Sequence, residues 1–569
     1  MKSFFSLIEA AAEEIPDKPL YVFPKTRWNS DEVLTYGDLR TQAGAAQALI
    51  SQNARAGDRA LLLLPTGAAF WECFVACLSL GVIAVPLKIP NLNRTSESLA
   101  EICRDCSPSL LITDESTVQT LMRHSDVHPQ LTRLPMLTPA AWRQEASDFT
   151  DPRLSGDPIA FLQYTSGSTA CPKGVRISQA NLSANIELIR QRMEIRSYED
   201  CGVTWLPHYH DMGLIGSYLT ALYTRTTSYC FPPEEFAIRP ATVLEQISKS
   251  RANLCGGPDF SYRLCVDKID AQQLAGIDLS SWRVAYVGAE RIRATTLRRF
   301  AEKFAPCGFQ SRAFFPCYGL AEATLMATGG PASREPCVRR VSSAALMGNQ
   351  IQDDPAADDT TELVGCGQTI AGLQVLILDS VTDEPIADET IGEVFICGPS
   401  VTQGYFNQDL SQDETFRNIT IDGVTWRFLR TGDLGFLSAG ELFITGRLKE
   451  TMIVRGRNLS PEDVEQRLEN LHEALMAGGA VAFSVEQNGE ECVIVAAEIK
   501  RTSVRMEQPE TVIAAIRNQV VLAFGVNPGE IILLRPATIP RTSSGKPKRL
   551  AVRDQYVAGT IEVLLRERG

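Results

Sequence analysis

The chain has 569 residues, of which 44% are hydrophobic and 22% are charged, and its formal net charge is −13. A chain of this length exceeds a single hydrophobic core, so we expect at least two domains, one of them composite. This excess of acidic over basic residues argues against general nucleic-acid binding and against a polybasic membrane anchor.

The opening stretch, MKSFFSLIEAAAEEIPDK, carries glutamates within an apolar pattern and predicts an amphipathic helix that stops at Pro16. It does not have the form of a secretory signal, and the 15 cysteines show no repeating spacing. We therefore expect reduced thiols and a cytoplasmic location.

Short apolar runs alternate with helical stretches in the first part of the chain. The segment from Ala60 to Leu87 is nearly uncharged, but prolines and glycines divide it into strand, helix and strand, which is not the pattern of a membrane span. Leu110 to Thr113 is a further candidate for a buried strand. The alternation predicts an α/β fold with doubly wound sheets, in a large composite N-terminal domain over residues 1–445.

Residues 159–181, IAFLQYTSGSTACPKGVRISQAN, change abruptly from an apolar run to hydroxyl residues and glycine. Ile159 to Tyr164 predicts a buried strand, and the loop after it offers hydroxyl and backbone N–H donors with a lysine nearby. Such a loop suits a polyphosphate, although a polar surface turn has a similar composition. The GxxxxGK[ST] pattern is missing, so a kinase-like or ATPase fold is not supported. The candidate phosphate-binding residues are Thr165, Ser166, Gly167, Ser168, Thr169 and Lys173.

Two further stretches each follow a predicted strand. In VTWLPHYHDMGLIG, residues 203–216, the side chains of His208, His210 and Asp211 could bind a metal, but no nearby histidine or cysteine completes a ligand set. Packing at a strand end is the alternative for His208. In LCGGPDFSYRL, residues 254–264, glycines opposite aromatic side chains could form an apolar groove, and an ordinary tight turn is the alternative. The candidate pocket residues there are Gly257, Phe260 and Tyr262.

Carboxylates accompany two later turns. In FFPCYGLAEAT, residues 314–324, the ring of Tyr318 could cover a purine, and Glu322 could hold Mg²⁺ against phosphate oxygens. A buried tyrosine with a capping glutamate is the alternative. Asp433 follows Thr-Gly in a predicted turn, where its carboxylate could accept hydrogen bonds from two ribose hydroxyls or serve the turn alone.

A smaller α/β domain is predicted over residues 447–569. Ser460-Pro461-Glu462-Asp463 predicts an N-cap, a first-turn proline and a capping-box acid at the start of a helix. Near the end of the chain, the stretch IPRTSSGKPKRLAVRDQY is rich in basic residues, although the chain as a whole is acidic. Gly545 would let the loop that carries Lys546 reach into another domain's cleft. A merely solvated tail is the alternative.

Six strings, from the phosphate loop to Lys546, closely resemble the motifs of the adenylate-forming superfamily, which includes acyl-CoA synthetases, luciferases and nonribosomal adenylation domains. Cys171 and Ala321 depart from the glycine and threonine common there. The resemblance implies ATP and Mg²⁺ as cofactors, with Lys546 and His210 close to the reacting groups and Glu322 close to the metal. It also implies a hinge at Lys449.

The resemblance assigns further residues to the nucleotide and to the acyl channel. Asp433 is assigned to the ribose and Arg447 to the ribose or phosphate, and Met212 and Gly213 to the channel wall. The residues assigned to the adenine and its surroundings are Gly288, Ala289, Glu290, Tyr318, Gly319 and Ala321.

The polar stretch between the Glu322 motif and the strand at Val375 predicts a solvated loop or a small subelement. Its length and its LVGCGQ ending resemble the insertion of fatty acyl-AMP ligases, here at about residues 338–364. This resemblance implies activation of a fatty acid to an acyl adenylate plus pyrophosphate, followed by transfer to the phosphopantetheine thiol of an acyl carrier protein. Basic residues such as Lys548 and Arg549 would then form a docking face for the acidic carrier.

Two other functions stay open. An acyl-CoA synthetase differs from this prediction only by the insertion. A catalytically inactive relative that binds nucleotide or lipid as a sensor would have the same fold, but the presence of Glu322, Asp433 and Lys546 weighs against it.

Overall fold

The computed structural model describes residues 4–27, 31–93, 95–144, 147–151, 154–165, 172–353, 360–370, 372–408, 414–454, 457–487, 490–506, 508–542 and 545–568. Within these residues, two sheets with flanking helices form a large body, and a four-stranded sheet with its own helices forms a small one. The predicted mixed α/β class is confirmed.

A six-stranded sheet has at one edge the two strands that flank the predicted phosphate loop in sequence. It is parallel except for the final hairpin, in which Ile159–Thr165 pairs with Lys173–Ser178. The predicted strand, helix and strand between 60 and 87 are observed as Arg59–Leu63, Ala68–Leu80 and Ile83–Pro86. The other strands are Leu110–Thr113, as predicted, and Met136–Leu137.

A 14-stranded sheet crosses the rest of the large body. A mainly parallel half ends at Phe314–Gly319, and an antiparallel half begins beside it, so Tyr318 lies at the junction of the two halves. The strands of the first half, from the edge inward, are Glu32–Thr35, Pro19–Phe23, Thr227–Cys230, Cys201–Thr204, Leu254–Gly257, Val284–Val287 and Phe314–Gly319. Those of the second are Met326–Gly329, Gln368–Thr369, Glu441–Arg447, Val424–Ser438, Gly392–Cys397 and Gln374–Leu378, with Phe416–Ile421 paired to Val424–Ser438.

The small body begins after the strand that ends at Arg447, next to the predicted domain boundary. Its sheet consists of Leu475–Gln487, Glu490–Ile499, Glu530–Leu534 and Val563–Arg568, and a hairpin of Met452–Val454 and Arg457–Leu459 precedes it. Its helices are Pro461–Leu468, Glu510–Phe524 and Arg549–Val557.

Helices cover the sheets of the large body, and the first, Phe4–Glu14, ends before Pro16 as predicted. Among the described residues, none of the helices combines the length and apolar character that a membrane span requires. The longer ones are Tyr36–Asn53, Glu97–Cys106, Glu115–Arg123, Gln179–Arg192, Ala241–Ser250, Asp259–Lys268 and Ala294–Phe304.

The stretch that resembles the insertion forms a small subelement. Strands Val338–Ser342 and Thr360–Val364 pair as a hairpin, with a short helix, Ser343–Met347, after the first strand. Its buried Val341 and Leu363 pack against Phe436 and Phe443 of the large body. On its other side, Met347 is part of the core of the small body, so the hairpin touches both bodies.

Two local predictions need correction. Thr431, Gly432 and Asp433 do not form a turn: they bulge out of the long strand Val424–Ser438, because three residues there oppose a single residue of the neighbouring strand. At the helix Pro461–Leu468 the proline is in the first turn as predicted, but the Ser460 side chain makes no capping bond and instead donates to Glu462.

Candidate active site

A cavity of about 1300 Å³ lies between the two bodies. Residues from widely separated motifs line it, because the loops after the parallel strands open toward it and the small body closes it from the opposite side. The predicted site residues that line it are Thr165, Lys173, His210, Met212, Phe260, Ala289, Glu290, Tyr318, Gly319, Ala321, Glu322, Asp433, Arg447, Lys449 and Lys546.

The hairpin at the edge of the six-stranded sheet contains two of the residues predicted to bind phosphate. Thr165 ends one strand and pairs with Lys173 at the start of the next. The Lys173 amine lies 4.8 Å from the centre of the Tyr405 ring, a cation–π contact. Ser166, Gly167, Ser168 and Thr169 lie outside the described residues, so their predicted role stays a prediction.

The bulge in the long strand directs the carboxylate of Asp433 into the cavity. The Tyr318 hydroxyl donates to one oxygen at 2.6 Å, and the Nε of Arg447 lies 3.0 Å from the other. The Asp433 carboxylate raises the pKa of Arg447, so that guanidinium stays charged. Tyr318 comes so close to the next strand because residue 319 is glycine: a Cβ there would lie 1.7 Å from the Leu325 carbonyl oxygen.

Glu322 follows Tyr318 in a short turn and faces the same cavity. The Tyr405 hydroxyl donates to its Oε1 at 2.7 Å, and burial raises the pKa of Glu322. A nearby divalent cation would favour the ionised form of such a carboxylate. No group of three or more His, Cys, Asp or Glu side chains within the described ranges could hold a metal. The cavity-facing carboxylate of Glu322 is the kind of ligand with which proteins hold Mg²⁺ beside substrate phosphates.

Lys546 extends from the small body into the cavity, where its amine donates to the carbonyl oxygen of Ala289. Ala289 has a φ of 64°, an uncommon conformation for a residue with a Cβ. Burial lowers the pKa of Lys546, while the carboxylates of Glu290 and Asp211 act in the opposite direction. The amine of Lys546 thus lies among acceptors at a point where both bodies meet.

His210 precedes a short helical turn, and its Nδ1 lies 2.7 Å from an oxygen of the partly buried Asp211. The neighbouring His208 is buried against the wall: its Nε2 contacts the Leu64 carbonyl and its Nδ1 contacts the Thr66 hydroxyl. Burial lowers the pKa of His208 to about 4. These contacts match the packing alternative for His208, whereas His210 faces the cavity.

The predicted acyl-pocket residues divide into two groups. Met212 and Phe260 line the cavity, together with apolar residues that the sequence did not single out, among them Ile189, Met193 and Leu325.

Gly213, Gly257 and Tyr262 lie behind the wall. A Cβ at Gly213 would lie 2.2 Å from the Pro207 carbonyl oxygen, and Gly257 lies against the Trp205 ring. Tyr262 is buried, donates to the Tyr286 carbonyl oxygen and packs on Phe300, so its ring supports the wall from the core. Gly288 likewise lies against Cys317 of the neighbouring strand.

The profile described as "AMP-binding enzyme" matches residues 8–406, about 70% of the chain. The chain belongs to the AMP-binding enzyme family. A second profile, "Disco-interacting protein 2-like, AMP domain", matches residues 449–565 of this enzyme.

Individual relatives show which members of this family the enzyme resembles. It is 35% identical to the medium-chain-fatty-acid acyl-carrier-protein ligase JamA of Moorena producens, over 93% of this chain and 90% of the relative. It is 31% identical to the corresponding ligase TtuA of Teredinibacter turnerae, over 98% and 93%. A structure from a study of fatty acyl-adenylate ligases from E. coli and L. pneumophila matches with a TM-score of 0.87 and 34% identity, over 98% of both chains. The predicted resemblance to fatty acyl-AMP ligases is thereby confirmed.

Ion pairs hold the small body of the enzyme against the large one. Arg263 and Arg293 of the large body both bind Glu469 of the small one, and Arg291 binds Asp463 at 2.5 Å. The side chains of these five residues are at most 21% exposed, so solvent screens the pairs less than it would at an open surface. Arg263, Arg293 and Glu469 line the same cavity as Lys546, so these pairs join the two bodies at the candidate site.

Arg549 does not have the exposed position predicted for a docking residue. Its side chain is 9% exposed, and it donates to both oxygens of Glu465 at 3.0 Å and also contacts Glu450 and Glu462. The prediction of a docking role for Arg549 rested on its positive charge, whereas the helix that begins at this residue packs inside the small body.

We expect Arg549→Ala to lower the free energy of unfolding by about 3 kcal/mol, because it leaves three carboxylates that are only 13–26% exposed without their cation. The matched control is Arg553→Ala on the same helix, whose guanidinium pairs with Asp554 and is 40% exposed. That loss should stay below about 1 kcal/mol. Urea unfolding of the full enzyme measures the loss in each variant. Equal losses would show that the ion pairs of Arg549 stabilise the enzyme no more than the exposed pair of Arg553 does.

Sequence reasoning missed two contributors to the site. Tyr405 lies in an unremarkable stretch, VTQGYFN, and its contact with Glu322 joins residues 83 positions apart. Asp211 was considered only as a metal ligand, but it is the partner of His210. The Tyr405 contact depends on how distant loops meet, so it has no local signal. Asp211 follows His210 directly in the chain, and this adjacency is a local signal for their pairing.

Proposed function

We propose that the enzyme uses ATP to convert a fatty acid to its acyl adenylate and then transfers the acyl group to the phosphopantetheine thiol of an acyl carrier protein, with release of AMP. The main support for acyl-adenylate formation is the position of the Lys546 amine, which lies in the cavity among the motif residues of the large body. A fatty acid is already ionised at neutral pH, so its attack on the α-phosphate needs no general base.

The obstacle in this reaction is bringing two anions together. Lys546 supplies a positive charge between the carboxylate and the α-phosphate, which stabilises the transition state in a cavity where solvent screens charge poorly. Lys173 and the hydroxyl-rich loop bind the β- and γ-phosphates, and Asp433 with Arg447 binds the ribose. The bond from the carboxylate oxygen to the α-phosphorus forms as the bond to the pyrophosphate breaks.

Mg²⁺ would be held by Glu322 and would neutralise charge on the phosphates. Glu322 suits this role because its carboxylate faces the cavity, and Tyr405 contacts both this carboxylate and Lys173. Lys449 stays a predicted hinge: the carrier's thiol must approach the adenylate, and a rotation of the small body about this residue would open a path.

The choice of a carrier protein over coenzyme A is supported by the insertion hairpin and by the names of relatives. The hairpin contacts both bodies, and Asn458 of the small body donates to Asn349 of the hairpin. JamA and TtuA are named as acyl-carrier-protein ligases, whereas FadD21 of Mycobacterium tuberculosis, 31% identical, is named as a putative fatty-acid–CoA ligase.

With ATP, Mg²⁺ and a fatty acid, we expect pyrophosphate release and acyl adenylate, with acyl transfer to holo carrier protein at least about tenfold faster than to coenzyme A. Mass spectrometry of the carrier and chromatography of acyl-CoA measure the two transfers, and apo carrier protein, which lacks the thiol, is the control. A panel of fatty acids measures chain-length preference. Faster formation of acyl-CoA would assign the enzyme to the acyl-CoA synthetases.

A further inference from the structure

Residues 399–406, called here the strap, join the Glu322 turn to the hairpin of Lys173. The Thr402 backbone N–H donates to the Glu322 carbonyl oxygen at 2.8 Å, and its hydroxyl donates to the Arg176 carbonyl oxygen at 2.5 Å. Further along, the Phe406 N–H donates to the Gly174 carbonyl oxygen at 2.8 Å. The strap therefore sets the distance between two groups that must face one triphosphate.

The side chain of Tyr405 makes a second connection, between Glu322 and Lys173 themselves. Its hydroxyl donates to the Glu322 carboxylate at 2.7 Å, and the Lys173 amine lies 4.8 Å from the centre of its ring. The residue is 7% exposed, so the surrounding packing restricts its ring. One side chain thus contacts both the carboxylate proposed for the metal and the cation proposed for the phosphates.

We propose that Tyr405 is a positioning residue for Mg–ATP, which orients the Glu322 carboxylate through its hydroxyl and the Lys173 amine through its ring. This inference rests on the proposed use of ATP. A carboxylate has about four acceptor positions, so the bond from Tyr405 fixes its orientation and leaves acceptor capacity for a cation. The ring face attracts the ammonium ion and restricts a flexible four-carbon chain.

The two contacts can be separated by substitution. Tyr405→Phe removes the hydroxyl but keeps the ring under Lys173, whereas Tyr405→Leu removes both. If the hydroxyl acts through Glu322, its loss weakens ATP binding only when Mg²⁺ is present. If the ring acts through Lys173, its loss also weakens binding when Mg²⁺ is absent.

Calorimetric titration of the full enzyme with ATP, with Mg²⁺ or with EDTA, tests this. We expect Tyr405→Phe to bind about tenfold more weakly with Mg²⁺ and unchanged with EDTA. Tyr405→Leu should lose about a further threefold under both conditions. The matched control is Tyr198→Phe, which removes another tyrosine–carboxylate hydrogen bond, to Glu14, outside the cavity lining; it should bind ATP as the unmodified enzyme does.

A purely structural role for Tyr405 would give a different result in this titration. A loss of equal size with Mg²⁺ and with EDTA in Tyr405→Phe, or no loss at all, would overturn the assignment. The proposed reaction fails separately: unmodified enzyme that binds Mg–ATP but releases no pyrophosphate with any fatty acid would refute acyl-adenylate formation and leave the binding result on Tyr405 intact.

Discussion

Lys546→Ala is expected to lower the rate of pyrophosphate release by about 10²- to 10³-fold, while ATP binding changes by less than about threefold. The amine contacts the Ala289 carbonyl oxygen in the cavity, so it can lie where the carboxylate and the α-phosphate meet. A charge that matters mainly when two anions approach contributes to the transition state more than to ATP binding. Pyrophosphate release under saturating ATP and fatty acid measures the rate, and calorimetry measures the binding.

The matched control for this experiment is Lys500→Ala, an exposed lysine of the same small body. It makes the same change in net charge without affecting the cavity, so its turnover should equal that of the unmodified enzyme. Unchanged turnover in Lys546→Ala would remove this lysine from the mechanism. A parallel loss of ATP binding would show that the residue acts by holding the nucleotide instead.

The sequence predicted the elements of the large body well where a local pattern decides the structure. The strand Leu110–Thr113 and the helix that ends before Pro16 follow from short apolar runs and helix-breaking residues. Serine is a residue type that favours helix N-caps, and Ser178 caps the helix Gln179–Arg192 with its side chain. Such signals need no knowledge of the rest of the chain.

Features that depend on contacts between distant segments could not be predicted in this way. The Thr-Gly-Asp string predicts a turn by its residue types, but pairing with the strand Gly392–Cys397 makes it a bulge. The glycine and tyrosine of LCGGPDFSYRL were expected to line a groove, yet the packing of Trp205 and Phe300 places Gly257 and Tyr262 behind the wall. The motifs identified which segments meet but not which side chains of each segment face the cavity.

Asp433→Asn should weaken ATP binding by about 10- to 100-fold, because hydrogen bonds to a charged acceptor are worth about 1.5–3 kcal/mol and the amide is a weaker acceptor. The carboxylate already accepts from Tyr318 and contacts Arg447. With about four acceptor positions it can also accept from two ribose hydroxyls. Calorimetry measures the loss, and Asp388→Asn, at an exposed position of the same body, is the control that should bind normally.

Weaker binding alone would not show that Asp433 contacts the ribose, since the substitution also disturbs Tyr318 and Arg447. ATP analogues that lack the 2′- or the 3′-hydroxyl separate the two effects in a double-mutant cycle. If the carboxylate accepts from these hydroxyls, the unmodified enzyme should bind the analogues about tenfold more weakly than ATP. In Asp433→Asn, the difference in affinity between ATP and the analogues should be much smaller. Equal discrimination by both proteins would mean that Asp433 only orients its two neighbours, and the ribose contact would have to be sought at another residue of the cavity.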